Sequence, residues 1–184
     1  MRIVAGKRKG LIIKTIEGES TRPTRDMVRE ALFSILTNDI MDARFLDLFA
    51  GSGAIGIEAL SRGAQLAVFS DLNPKCTKVI KENIEKANFT EESSVYTADY
   101  KTVLKKLKES KSEFDIIFID PPYHKGLGID SIYQISEYGI LAKNGIIIFE
   151  TDTNEEVPEV IGDFIRYNYK RYGRNMLNLF KRKG

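Results

Sequence analysis

The stretch Phe45-Leu46-Asp47-Leu48-Phe49-Ala50-Gly51-Ser52-Gly53-Ala54-Ile55-Gly56 decides how this chain folds. An apolar run leads into glycines spaced Gly-x-Gly-x-x-Gly, and a helical pattern follows through Ile57, Ala59 and Leu60 to a stop at Arg62-Gly63. Glycine lets the backbone turn sharply and lets a ligand approach where a Cβ would block it. Asp71 comes twenty residues after Gly51, at the end of Leu66-Ala67-Val68-Phe69-Ser70. At that place a carboxylate can take two ribose hydroxyls. Dinucleotide-binding and methyl-donor-binding sheets share this spacing, so it implies a nucleoside-containing cofactor and leaves its identity to other residues.

Outward from this unit, strand-like and helical runs alternate. Leu66–Ser70 precedes a helix over Pro74–Lys86, with Pro74 suited to a first turn. Val95–Ala98 precedes Thr102–Lys108, Phe114–Ile119 precedes a loop and Ile129–Tyr138, and Ile146–Glu150 precedes Glu155–Phe164. Upstream, Met27, Val28, Ala31, Leu32, Ile35 and Leu36 repeat as one buried helix face, with Thr21 or Thr24 as its cap. Ile3-Val4 and Leu11-Ile12-Ile13 flank Gly6-Lys7-Arg8-Lys9-Gly10 like a hairpin. Tyr167–Tyr172 and Met176–Phe180 lack a helix between them and read as an antiparallel pair. The expected fold is therefore α/β: a Rossmann-like, doubly wound, seven-stranded, mainly parallel sheet ending in an antiparallel hairpin. A small N-terminal hairpin and helix, residues 1–40, precede the core, residues 41–184, in a single domain.

Ligands of such sheets bind beyond the carboxyl ends of the strands. Gly51, Asp71, Asp99 and Asp120 all fall at or just past strand ends, while Asp47 lies inside a strand. Each acid also has a plain structural reading. Asp47 reads as a satisfied core carboxylate, Asp71 as a partner of the Asn73-Pro74 turn, and Asp99 as a cap of the next helix. Asp120-Pro121-Pro122-Tyr123 is harder to read that way. Proline donates no hydrogen bond and fixes the backbone, so the Pro121 carbonyl is free to face a ligand. Ionised Asp120 only accepts, and Tyr123 supplies a flat face for stacking. Two acceptors beside an aromatic ring suit the exocyclic amine of a nucleobase.

Composition narrows the classes. The chain has 184 residues, 42% of them apolar and 29% charged, with one cysteine (Cys76) and one histidine (His124). No internal disulfide or cysteine metal cluster is possible, and no metal is expected. No apolar run approaches a membrane span of about 18 residues. The opening Met1-Arg2-Ile3-Val4-Ala5-Gly6 is too broken by charge for a signal peptide, so a cytoplasmic location is expected. The net charge of +2 conceals an asymmetry: residues 1–25 carry +5, residues 165–184 carry +7 and the body between them −10. Basic ends around an acidic body suit a gripped polyanion, since Lys and Arg on phosphate dominate nucleic-acid affinity. Cys76 reads as a packing or surface residue, and His124 as a contact residue rather than a base.

These motifs resemble the class I S-adenosylmethionine-dependent methyltransferases of exocyclic amines, and more closely the bacterial 16S rRNA guanine-N2 methyltransferase D family. The resemblance runs through Arg2–Gly6 and the basic turn, Thr21–Phe33, Asp47–Ala64 and Asp120–Tyr123. Arg22-Pro23-Thr24 separates that family from other amine methyltransferases, whereas DNA adenine methyltransferases share Asp-Pro-Pro-Tyr. By this resemblance, the loop of Asp47, Phe49, Ala50, Gly51, Ser52 and Gly53 holds the methionine part of S-adenosylmethionine. Asp71, with Leu72 beside it, takes the ribose, and Asp99 before Tyr100 faces the adenine amine. Asp120, Pro121, Pro122 and Tyr123 position the target base. Arg22, Pro23, Thr24 and Arg25 line the entry of RNA, with Lys7, Arg8 and Lys9 on its phosphates. The resemblance implies a monomer acting on 16S rRNA, in the small ribosomal subunit or an assembly intermediate, with S-adenosylhomocysteine as product. Three rivals stand beside it. A DNA adenine-N6 methyltransferase is disfavoured because so short a chain has no separate target-recognition domain. A nicotinamide-dependent oxidoreductase leaves Asp120–Tyr123 and the basic ends unexplained. A non-catalytic RNA-binding module predicts damaged glycines or a lost Asp120, and neither is seen.

Overall fold

The computed structural model describes residues 1–16, 23–122 and 125–184, with the backbone alone for Pro23, Thr24 and Arg25. Among the described residues five helices, α1 (Pro23–Ile35), α2 (Ala54–Ser61), α3 (Pro74–Ala87), α4 (Tyr100–Glu109) and α5 (Leu127–Tyr138), surround one sheet. Its strands are β1 (Arg44–Asp47), β2 (Leu66–Asp71), β3 (Ser93–Thr97), β4 (Phe114–Ile119), β5 (Leu141–Asp152), β6 (Val160–Ile161), β7 (Phe164–Tyr172) and β8 (Asn175–Arg182). They lie in the order β3-β2-β1-β4-β5-β8-β7-β6. The first five pair in parallel, and β8, β7 and β6 are antiparallel. The order reverses between β1 and β4, and that switch point opens a crevice at the carboxyl ends.

Helices cover both faces. Residues of α1, α2 and α3 share one core with Ile3 and Ile13 of the N-terminal hairpin. Residues of α4 and α5 share the other with Leu46, Ile117 and Phe149. Central parallel strands bury both faces, which is why Phe45, Leu46, Phe69, Ile116, Ile117 and Ile119 are almost wholly covered. The N-terminal hairpin forms as expected, with Arg2 bridged to Ile12 and a 3-10 turn over Gly6–Arg8. The Glu58 carboxylate on α2, fully buried, accepts from Val4 N (2.8 Å) and Ala5 N (3.0 Å). Among the described residues no helix is long and apolar enough to cross a membrane.

Three expectations are corrected. The segment 155–164 is not a helix: turns and extended backbone lead to the two-residue strand β6, which brings the sheet to eight strands. Val157, Val160, Ile161 and Phe164 imitate a helical stripe, but Pro158 cannot donate inside a helix, and Gly162 turns the chain at φ +55°. Met27 is exposed rather than on the buried face of α1, which is rotated to bury Val28, Arg29, Leu32, Phe33 and Leu36. Strand β5 begins at Leu141, ahead of the expected Ile146, because Leu141 already pairs with Phe114 across an irregularity in β4. The caps expected from Thr21 and Thr24 lie outside the described residues.

Candidate active site

At the switch point a cavity of about 680 Å³ opens, within the range of small-molecule sites. Every residue expected to hold the cofactor lines it except Gly53. The loop after β1 supplies Phe49, Ala50, Gly51 and Ser52, the end of β2 supplies Asp71 and Leu72, and the turn before α4 supplies Asp99 and Tyr100. Asp120, Pro121 and Pro122, just past β4, line the same cavity.

Hydrogen bonds orient the loop from below. Gly51, at φ +53°, donates its N–H to Asp71 Oδ2 at 3.0 Å. Asp71 Oδ1 accepts from Asn73 N at 2.8 Å, so each oxygen spends one lone pair and keeps another for a ligand. Asp47 is buried and its Oδ2 accepts from Gly56 N at 3.1 Å, pinning the start of α2 to β1. Gly56 is there for packing: a Cβ would stand 2.2 Å from the Phe69 ring. Gly53, in the left-handed region at φ +78°, opens α2 beneath the loop. Asn83 on α3, fully buried, donates to Ser52 O (3.0 Å) and to Lys14 O (2.9 Å), joining the loop to the N-terminal hairpin.

Asp99 does cap α4. Its carboxylate accepts from Thr102 Oγ1 (2.6 Å) and Thr102 N (3.1 Å), and those bonds hold its pKa below the ordinary value. Tyr100 stands beside Phe49 with ring centroids 5.5 Å apart and planes tilted by 42°, an aromatic wall for a flat ligand. Burial first, and then the Asp130 carboxylate that its hydroxyl meets at 2.5 Å, push the Tyr100 phenol above its ordinary value. Tyr100 therefore stays protonated and anchored to α5. Leu72 is exposed at the rim. Cys76 is buried and lines the cavity.

The basic turn divides. Lys7 and Lys9 are exposed, but Arg8 packs inward, its Nε donating to Ala87 O (2.5 Å) and its guanidinium 5.6 Å from the Phe89 centroid. Arg22, Tyr123 and His124 lie outside the described residues, as do the side chains of Pro23, Thr24 and Arg25. Sequence reasoning missed three charged residues of the cavity: Lys125, and the buried Glu150 and Arg29, which are 7% and 4% exposed. Glu150 ends the apolar run of β5 as Asp120 follows that of β4, so the strand-end rule applied to Asp120 also singles it out. Arg29 interrupts the apolar stripe of α1 three residues before Leu32. Asp130, the anchor of Tyr100, carries no sequence signal because only the packing of α4 on α5 brings it close.

The arrangement has the features a nucleoside-bearing methyl donor needs: a glycine loop, a carboxylate with spare acceptor capacity and an aromatic wall. A family model described as conserved hypothetical protein 95 matches residues 1–181. The YlbH protein of Bacillus subtilis is 36% identical over 184 residues, all of both chains. Ribosomal RNA small subunit methyltransferase D of Escherichia coli K12 is 30% identical over 183 residues, covering 100% of this chain and 90% of that one. The solved structure of yhhF from Escherichia coli superposes with a TM-score of 0.86 at 30% identity, over 100% of this chain and 98% of the other.

Proposed function

From the premise that this chain belongs to the conserved hypothetical protein 95 family and is a relative of ribosomal RNA small subunit methyltransferase D, we propose that it transfers a methyl group from S-adenosylmethionine to the exocyclic N2 amine of one guanine in 16S rRNA. Asp120, Pro121 and Pro122 line the same cavity as Gly51 and Asp71, and that juxtaposition carries the reading. It puts acceptors for an amine beside a receptor for a nucleoside cofactor. The substrate is 16S rRNA in a small ribosomal subunit or an assembly intermediate, since a domain of 184 residues has little surface for reading sequence on its own.

When bound, the cofactor supplies an electrophilic methyl group on a sulfonium. Gly51 and Ser52 would border its methionine part, Asp71 would accept from its ribose, and Phe49 and Tyr100 would flank its base; all five residues line the cavity. The guanine N2 lone pair is drawn into the ring, which makes it a poor nucleophile. Asp120 and the Pro121 carbonyl accept from the two N–H groups and hold that nitrogen in a more nucleophilic form. Positioning at about 3–3.5 Å is the main demand, because the methylated nitrogen is acidic enough to lose its proton without a strong base. The base must leave its stack to arrive there.

Purified protein incubated with methyl-labelled S-adenosylmethionine and small subunits lacking the modification tests this, with naked rRNA and DNA in parallel. Label recovered as N2-methylguanosine, and reduced a hundredfold or more in Asp120→Ala, is the expected result. Label in DNA as N6-methyladenine overturns it.

A further inference from the structure

We propose that Glu150 and Arg29 read the target base as guanine, Glu150 accepting its ring N1–H and Arg29 donating to its O6 carbonyl. This rests on the reading of the cavity as a guanine-N2 methylation site and adds what chooses guanine over adenine there. Asp120–Pro122 cannot choose, since an amine flanked by two acceptors is common to both bases.

Both side chains are at least nine-tenths buried, and both line the cavity that contains Asp120. Glu150 lies near the end of β5, and Asn175 on β8 donates its Nδ2 to Glu150 Oε1, which fixes the carboxylate in place. Arg29 is anchored at one corner only. Its Nη2 donates to Arg2 O at 3.0 Å and lies 3.1 Å from Asp26 Oδ1, while Nε and Nη1 are buried without a hydrogen-bond partner among the described residues. A buried guanidinium with two unmet donors is unfavourable unless a ligand supplies acceptors.

These three groups, gathered on one cavity, suit one base edge. Asp120 follows β4, Glu150 comes from β5 beside it, and Arg29 reaches the cavity from α1, where it is held by Arg2 of the N-terminal hairpin. The Watson–Crick edge of guanine presents, in sequence, the N2 amine, the N1–H donor and the O6 acceptor. Neighbouring strands lie about 4.8 Å apart, a spacing that suits acceptors on adjacent N–H groups. With its amine at Asp120, adenine would set its N1 lone pair against the Glu150 carboxylate and only C2–H against Arg29, so one contact becomes repulsive and the other is lost.

The test compares guanine with 2-aminopurine, which keeps the N2 amine but lacks N1–H and O6. After the methylated position is mapped, small subunits are reconstituted on 16S rRNA ligated to carry either base there. Methylation rates are measured for the wild type, Glu150→Gln and Arg29→Met, with S-adenosylmethionine affinity determined by calorimetry for each. The wild type is expected to prefer guanine by about a hundredfold or more. Each variant should narrow that preference to about tenfold or less, through a fall in the guanine rate, with cofactor affinity unchanged. If Glu150→Gln does not fold, Asn175→Ala, which removes the Asn175 bond that orients the carboxylate, carries the same expectation. Equal losses on both bases overturn the proposal and leave Glu150 and Arg29 as structural groups. Loss of cofactor affinity in Arg29→Met also overturns it, by assigning the guanidinium to the cofactor carboxylate. A wild type that methylates neither base, or another position, refutes the underlying reading instead.

Discussion

In the proposed function Asp71 serves loop and ligand together. One oxygen receives the Gly51 N–H and the other the Asn73 N–H, so the carboxylate is fully oriented before any ribose arrives. Removing it discards the proposed ribose acceptor and strands the Gly51 donor. Asp71→Ala should weaken S-adenosylmethionine binding by roughly 10- to 100-fold, as expected for hydrogen bonds to a charged acceptor. Equilibrium titration of the cofactor measures this, and an affinity within twofold of wild type would refute the assignment. Asp99 likewise has both oxygens engaged, here by the single residue Thr102. Its capping of α4 was one of two readings open at the sequence level, and the geometry shows that the cap is real while leaving lone pairs for an adenine amine. Capping and binding are therefore compatible roles, and substituting Asp99 should disturb both.

Single elements were legible to differing degrees. β1, β2 and β4 are recognisable in sequence because a central parallel strand needs apolar residues on both faces, leaving an unbroken run. The segment 155–164 misleads because helical spacing of valine, isoleucine and phenylalanine also arises where a short edge strand and a turn each bury one or two side chains. Glu150 was legible in principle and Arg29 only in part, since a charged residue in an apolar stripe reads as an error of register until a cavity is seen beside it. The pairing of β1 with β4 illustrates what sequence does not carry. Asp115 lies at the irregularity of β4 and grips Arg44 through its N (2.8 Å), Nε (3.0 Å) and Nη2 (3.1 Å). The Arg44 side-chain hydrogen bonds foremost hold the Asp115 carboxyl below its ordinary value. The unfolded chain therefore takes up the proton at higher pH than the folded one. The stabilisation is complete above the unfolded pKa of about 3.9 and is lost as the pH falls through the lower folded value. Asp115→Asn should lower the urea midpoint modestly at pH 7, where the pair is partly exposed and screened, and the two profiles should converge below about pH 4, so that the variant's acid slope is the flatter one. An unchanged acid slope would show that the bond pattern does not persist in solution.

Across the whole molecule, the N-terminal hairpin is tied to the catalytic body by groups that also shape the cofactor loop. Glu58 and Ser61 of α2 receive the backbone of Val4, Ala5 and Arg8, and Asn83 bonds both Lys14 and Ser52. The basic turn is thereby presented as a rigid feature, and its three charges part company. Arg8 is committed to Ala87 and Phe89, whereas Lys7 and Lys9 remain in solvent. On an RNA surface the two lysines are the groups free to neutralise phosphate, and each phosphate contact contributes roughly one unit or slightly less to the slope of log affinity against log salt. Changing Lys7 and Lys9 together to glutamine should lower that slope by about 1–2 for small-subunit binding. Cofactor affinity and the melting temperature should stay as they are. Arg8→Gln should behave in the opposite way, lowering the melting temperature through the lost Ala87 bond and Phe89 contact while leaving the salt slope nearly intact. Filter binding over a series of salt concentrations, paired with thermal melts, separates the two patterns. A slope that falls with Arg8 and not with the lysines would mean that the turn rearranges when it meets RNA.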